Sequence, residues 1–216
     1  MEPNWLTWAK RLAALAQNGL TYSENEYEID RYRQIRQIAA EMMSAGFGPA
    51  APLRTECGLD TKAIVDLFSR EQGYATPKVD VRGAAFRDNK ILLVKEKIDD
   101  AWTLPGGWAD PCQSPSEAVV REVFEESGFE ARAVKLAAVY DRSKHPHEPP
   151  MPFHLYKLFF LCEITGGAAT ESYETTGVEF FAEDSIPPLS ISRTLPFQIA
   201  RMFEHHRHRA LPTDFD

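Results

Sequence analysis

The chain has 216 residues, enough for one large domain or two small ones with a sizeable core. Its 44% hydrophobic content is that of a globular chain rather than a disordered one, and a net charge of -8 argues against a broad nucleic-acid surface. No apolar run approaches the roughly 20 residues of a membrane span.

Asn4 and Lys10 interrupt the apolar residues at the start, so that stretch does not read as a signal peptide. Cys57, Cys112 and Cys162 have no metal spacing, which fits a reduced, cytoplasmic protein. Trp5 to Asn18 is apolar at helical spacing (Trp5, Trp8, Leu12, Leu15), and Gly19 is expected to end that helix. Ser23 or Asn25 can cap a longer helix running to Gly46, with Ile29, Tyr32, Ile35, Ala39 and Met42 as its stripe. Gly46–Pro52 reads as a loop, Asp60–Glu71 as a short helix and Gln72–Pro77 as a linker. Residues 1–72 therefore form a small all-helical domain. Its aromatics Trp5, Trp8, Tyr22, Tyr27 and Tyr32 have two readings. They fill the domain core and a subunit interface, or some form a box for a quaternary ammonium.

From Pro77 the period changes. Val79–Phe86 and Ile91–Val94 read as strands joined by an Arg87–Lys90 turn. Ala133–Tyr140, Phe153–Glu163 and Val178–Ala182 are further strands, and Leu195–His208 is a terminal helix. Between them lies Gly106–Phe129. Ser114 and Glu117 make a capping box, Pro115 suits the first helical position and Gly128 suits a left-handed stop, so Pro115–Ser127 is predicted helical. Glu122, Glu125 and Glu126 then share one face, with Val119, Val120, Val123 and Phe124 on the other. Three carboxylates at a helix C-terminus are unfavourable, and a hard cation such as Mg²⁺ or Mn²⁺ would relieve them. Strands flanking this helix, with a second helix closing the chain, suggest an α/β/α sandwich.

Gly107, Arg121, Glu122, Val123, Glu125, Glu126, Gly128 and Phe129 together resemble the Nudix box, G-x5-E-x7-R-E-U-x-E-E-x-G-U. One position departs: Gln113 stands where the pattern has its first Glu, and whether Asp110 substitutes is open. The resemblance implies an α/β Nudix sandwich over residues 77–216, following the helical domain. It also implies a metal-dependent hydrolase of a nucleoside diphosphate linked to another moiety. A second, narrower resemblance lies in N-W-L-x-W-A at the start, W-x-L-P-G-G-W-A-D around Trp102 and H-x-Y-K-L-F-F-L-C-E from His154. These are similar to the bacterial Nudix group that includes CDP-choline pyrophosphatases. That implies CDP-choline as substrate and a homodimer, with Tyr32 and Trp102 as substrate contacts. ADP-ribose or a nucleotide sugar is the alternative substrate, and a catalytically silent nucleotide sensor is the alternative of another class.

The site follows from the box and the resemblance. Glu122, Glu125, Glu126 and the Gly107 carbonyl are the expected metal ligands, and Arg121 either orients a carboxylate or makes an ordinary surface pair. Glu174, on the loop before the last strand, is the candidate general base, with Glu179 as the alternative. Arg82 is the favoured partner for substrate phosphate, and Lys95 and Lys97 are read as a solvated edge. The histidines form no trusted ligand pattern, and His205–His208 are expected to face solvent.

Overall fold

Alanines set the spacing of the first two helices. Helix α1 (Asn4–Tyr22) buries Leu6, Ala9, Ala13 and Ala16, and α2 (Glu26–Phe47) buries Ala39, Ala40 and Met43. Of the expected α1 stripe, Trp5 and Leu12 pack against this core, whereas Trp8 and Leu15 are exposed. Gly19 does not end α1. It lies inside the helix, where a Cβ would come within 2.3 Å of the Tyr32 ring, and Gly46 receives the Trp5 ring in the same way. Two aromatic rings seated on two glycines thus pin α1 to α2. The Asn25 side chain accepts from the Tyr27 N–H and so caps α2. Helix α3 (Thr61–Ser69) starts at Asp60, whose carboxylate accepts from the Ala63 N–H.

The computed structural model describes residues 2–47 and 60–216. Cys57 and most of the expected Gly46–Pro52 loop lie outside them. The chain divides into two compact units, Met1–Pro77 with Pro149–His154, and Lys78–Glu148 with Leu155–Asp216. In the first, the linker is tied back to α1 through Gln17 to the Gly73 carbonyl and the Ala75 N–H to Asn18.

The second unit is built on strands β1 (Lys78–Arg87), β2 (Lys90–Glu96), β3 (Trp102–Thr103), β4 (Phe129–Asp141), β5 (Leu155–Gly167), β6 (Thr175–Phe181) and β7 (Asp214–Phe215). The order is β3-β2-β1-β5-β4-β7, with β6 on the other edge of β2. Strand β1 runs parallel to β5 and turns into β2 through Asp88 and Asn89, both at positive φ. Both residue types tolerate that region in a tight hairpin. Helix α4 (Pro115–Ser127) covers one face with Ala118, Val119 and Val123, and α5 (Pro196–Arg207) covers the other with Ile199, Met202 and Phe203. The result is a helix–sheet–helix sandwich. His205, expected in solvent, is fully buried and bonds Asp214, while His206 stacks on Phe86 at 4.0 Å. The short C-terminal strand β7 draws His205 inward, and no sequence periodicity announces a two-residue strand. Among the described residues no helix is long and apolar enough to cross a membrane.

Candidate active site

The β1 edge holds the glycine turn that opens the site. The Val81 N–H donates to the Gly107 carbonyl and the Gly83 N–H to the Pro105 carbonyl, each at 2.8 Å. Gly106 takes φ +146 and any Cβ there would strike the Val81 carbonyl, so only glycine lets the turn lie this close. The Gly106 N–H, released by this turn, donates to Glu126 Oε2 at 2.9 Å.

Helix α4 begins and ends as its sequence dictates, with the Ser114–Glu117 capping box, Pro115 in the first turn and Gly128 at φ 74. Its faces differ from expectation. Glu126 follows Val119 and Val123 around the same buried side and is 6% exposed, whereas Phe124 is 53% exposed. Glu122 is mostly covered and Glu125 half open. The acids thus span the boundary between core and solvent instead of sharing one open face.

Burial dominates their electrostatics. The Glu126 carboxyl is pushed up to about 8 by burial, with Glu96 and Glu122 adding to the rise and Arg82 and the Gly106 N–H opposing it. Burial raises Glu122 and Glu96 as well. Glu96 is a site residue the sequence reading passed over. It ends β2, is buried, and lies within electrostatic reach of Arg82, Glu126 and Glu174. An acid closing the apolar run Ile91–Val94 was the available signal.

Arg121 gathers the outer acids. Its guanidinium meets Glu125 at 2.7 Å, Glu122 at 2.9 Å, Asp110 at 3.1 Å and the Gln113 amide oxygen at 3.1 Å. Gln113 and Asp110 therefore both engage the arginine. Arg82 departs from expectation. It is 4% exposed, its Nε and Nη2 are held bidentately by Asp80 (2.9 and 2.6 Å), and Nη1 donates to the Leu104 carbonyl. A guanidinium enclosed this way is a fixed charge beneath the acids, not a free hand for substrate phosphate. Lys157, also buried, caps the second side of Asp80 at 2.5 Å.

Glu174 sits on the exposed loop before β6, and its charge is felt at Tyr173 and at Glu96. Glu179 is exposed on β6, opposite Leu93. Lys97 is exposed, as expected, and its ammonium also donates to the Ser172 and Tyr173 carbonyls, which fastens the Glu174 loop. Trp102 is half-buried against Phe181, with ring centroids 4.7 Å apart. Tyr32 belongs to the helical unit.

The donor set suits a hard divalent cation, being carboxylate oxygens in excess over the cations that face them. Among the described residues no three such side chains are yet gathered as a cage. Arg121 bonds Glu122 and Glu125, and the Gly106 N–H bonds Glu126.

A sandwich with a capped acidic helix beneath a glycine turn defines the class, a Nudix pyrophosphohydrolase. Residues 76–200 match the NUDIX domain family, and the chain belongs to it. Residues 3–48 match the family described as UDP-X-like, N-terminal oligomerisation domain. A putative ADP-ribose pyrophosphatase of Bacillus subtilis is 44% identical over 100% of this chain and 99% of its own length. The crystal structure of an ADP-ribose pyrophosphatase from Streptococcus suis is 40% identical, covering 65% of this chain and 100% of that one, with a TM-score of 0.59. That of a UDP-X diphosphatase is 29% identical, covers 99% and 98%, and has a TM-score of 0.61.

Proposed function

We propose that this protein hydrolyses the diphosphate of a nucleoside diphosphate linked to a second moiety, with ADP-ribose as the leading substrate. The observation that carries the chemistry is the buried, carboxylate-rich cluster of Glu96, Glu122 and Glu126 beneath the Gly106–Gly107 turn. The choice of substrate rests on the names of the relatives. CDP-choline, expected from the sequence, has no support from them and stays in the test as the second candidate.

Glu122, Glu125 and Glu126 would hold Mg²⁺ or Mn²⁺, with the Gly107 carbonyl as a further donor. The bound ion supplies charge neutralisation on the diphosphate and lowers the pKa of water. The chain's own residues do the rest. Arg121 sets the rotamers of Glu122 and Glu125, and Arg82 holds positive charge under Glu126. Glu174 stands at the rim as the general base, where it can take a proton from the attacking water. Trp102 is kept as a substrate contact, whereas the Tyr32 ring is taken up by Gly19 within the helical unit and is not assigned to the substrate. The helical unit exposes Trp8, Leu15, Tyr22 and Tyr27, an apolar surface suited to a homodimer.

A substrate panel tests the reading: ADP-ribose, CDP-choline, a UDP-sugar and a dinucleoside polyphosphate, each with Mg²⁺ or Mn²⁺. The expected result is the highest kcat/KM for ADP-ribose, yielding AMP and ribose 5-phosphate. In Glu174→Gln the turnover falls more than KM rises. A preference for CDP-choline replaces the substrate, hydrolysis of none overturns the activity, and an unchanged rate in Glu174→Gln moves the base to Glu179.

A further inference from the structure

The proposed substrate carries a diphosphate, and Arg82, the cation expected to receive it, is enclosed. The other cations around the carboxylate cluster are mostly committed. Arg121 makes four contacts, Lys97 is bound to two carbonyls, and Lys95 pairs with Asp100 at 2.5 Å. Arg193 is different. Its Nε meets Glu96 Oε1 at 2.9 Å, and its Nη1 lies 3.3 Å from both Ser190 Oγ and Ser192 Oγ. Nη2 makes no hydrogen bond to the described residues, and the side chain is 28% exposed. Nη1 also lies 3.7 Å from Asp99 Oδ2, so Nε and Nη1 are anchored and Nη2 is the open nitrogen.

The loop that presents it is fastened from four directions. The Ser190 N–H donates to the Trp102 carbonyl at 2.8 Å and the Ser190 hydroxyl to Asp99 at 2.6 Å. His147 Nδ1 donates to the Ile191 carbonyl at 2.9 Å, and Thr194 shares a 2.8 Å hydroxyl contact with Thr103. Glu96 completes the arrangement. A buried carboxylate at the end of β2, beside two other acids, raises the local negative charge without need unless it fixes something that the site uses. It fixes Arg193. A planar guanidinium held at Nε and Nη1 keeps the two N–H donors of Nη2 for phosphate oxygens, and preorganisation limits the rotamer entropy lost on binding.

We infer that Arg193 is the substrate-phosphate ligand of this site, binding non-bridging oxygens of the nucleoside diphosphate, and that Glu96 is its positioning residue. The inference rests on the proposed hydrolase reading for its substrate, but a binding measurement separates the two.

The experiment compares wild type with Arg193→Gln, Arg193→Lys, Glu96→Gln and Glu96→Ala. It measures ADP-ribose hydrolysis, calorimetric binding of non-hydrolysable α,β-methylene ADP with Mg²⁺, Mn²⁺ binding by electron paramagnetic resonance, and Tm. In Arg193→Gln, KM and the analogue Kd should rise about tenfold to a hundredfold, the loss typical of one charged hydrogen-bond donor. Mn²⁺ affinity and Tm should hold. Arg193→Lys should recover part of the affinity, as a point charge without the fork. Glu96→Gln keeps an oxygen acceptor for Nε and should raise KM only a few-fold, whereas Glu96→Ala should approach Arg193→Gln. An analogue Kd in Arg193→Gln within twofold of wild type overturns the assignment, as does failure of wild type to bind the analogue. Loss of kcat and Mn²⁺ affinity in Glu96→Gln, with KM unchanged, overturns the positioning role and places Glu96 among the metal ligands. Should wild type bind the analogue through Arg193 yet hydrolyse no substrate, the phosphate site stands and the hydrolase reading falls.

Discussion

Two buried ionic clusters lie next to each other in the sandwich and are built on opposite terms. In the first, Asp80 is flanked by Arg82 and Lys157, with every partner within hydrogen-bonding distance. Burial pushes the Asp80 carboxyl up, but Arg82 and then Lys157 hold it down at about 2. Burial drives the Lys157 ammonium down to about 7, against the pull of Asp80. In the second, Glu96, Glu122 and Glu126 face one another, and burial raises all three. Arg82 belongs to both. The closed cluster fixes its position, and the open cluster draws on its charge. A buried charge without its partner is costly: in the closed cluster Asp80 has two cations within hydrogen-bonding distance, whereas in the open one, among the described residues, Glu96 and Glu122 have one arginine each and Glu126 has only the Gly106 N–H.

Breaking the closed cluster should have the largest effect. Asp80→Asn leaves Arg82 and Lys157 facing each other without a carboxylate between them. Removal of one partner from a buried pair costs about 3–5 kcal/mol, and urea unfolding at pH 7 should register a loss of that order. A loss below about 1 kcal/mol would mean that Lys157 sheds its proton and that the two clusters are less unlike than the geometry implies.

Breaking the open cluster should do the reverse to stability. Glu126→Gln removes a carboxyl that burial disfavours and keeps an oxygen to accept the Gly106 N–H. Without metal, its Tm should rise by a few degrees. Turnover should fall on the order of a hundred- to a thousandfold, as when one group that stabilises developing charge is lost. A variant that is both less stable and fully active would make Glu126 an ordinary structural acid.

The same contrast explains what was legible beforehand. The limits of α4, its capping box and its left-handed Gly128 depend on neighbours within a few residues, and the structure has them where the sequence predicts. Strands β1, β2, β4, β5 and β6 were read from local apolar runs for the same reason, whereas the two-residue strands β3 and β7 were not read. Burial of Glu126 was hidden because helical spacing gives faces but not how deep each one sinks. The meeting of Lys157 with the Asp80–Arg82 pair needs the β1–β5 register, in which Asp80 lies opposite Lys157. The meeting of Glu96 with Arg193 needs a loop just before α5 to return to the end of β2. In α1, Trp8 and Leu15 looked like core but are exposed, and Ala9, Ala13 and Ala16 fill the contact because close helix approach favours small side chains.

A smaller effect tests the support of the open cluster. His147 is buried, donates from Nδ1 to the Ile191 carbonyl and lies 3.2 Å from the Gln198 amide through Nε2. Burial first, then Lys157 and Arg142, push its pKa down to about 3. The unfolded chain takes up a proton near pH 6.5 that the folded protein refuses. The stability His147 contributes is therefore complete above about 6.5 and is lost as pH falls towards 3, by at most about 1.4 kcal/mol per pH unit. Urea midpoints of wild type and His147→Gln should converge on acidification through this window. Parallel curves would show that the imidazole protonates freely and does not hold the loop of Arg193.

The smallest effect should come from Gln113→Glu, which restores the acid of the box pattern. Arg121 already has Glu122, Glu125 and Asp110 around it, and the Gln113 oxygen accepts from its Nε at 3.1 Å. A further carboxylate there meets a guanidinium that is 26% exposed and well supplied with negative charge. Partly exposed pairs of this kind contribute about 0–1 kcal/mol, so kcat should stay within about threefold of wild type and Tm within a degree or two. A tenfold gain in kcat would mean that the amide holds Glu122 and Glu125 too loosely, and that rotamer control by Arg121 limits the site.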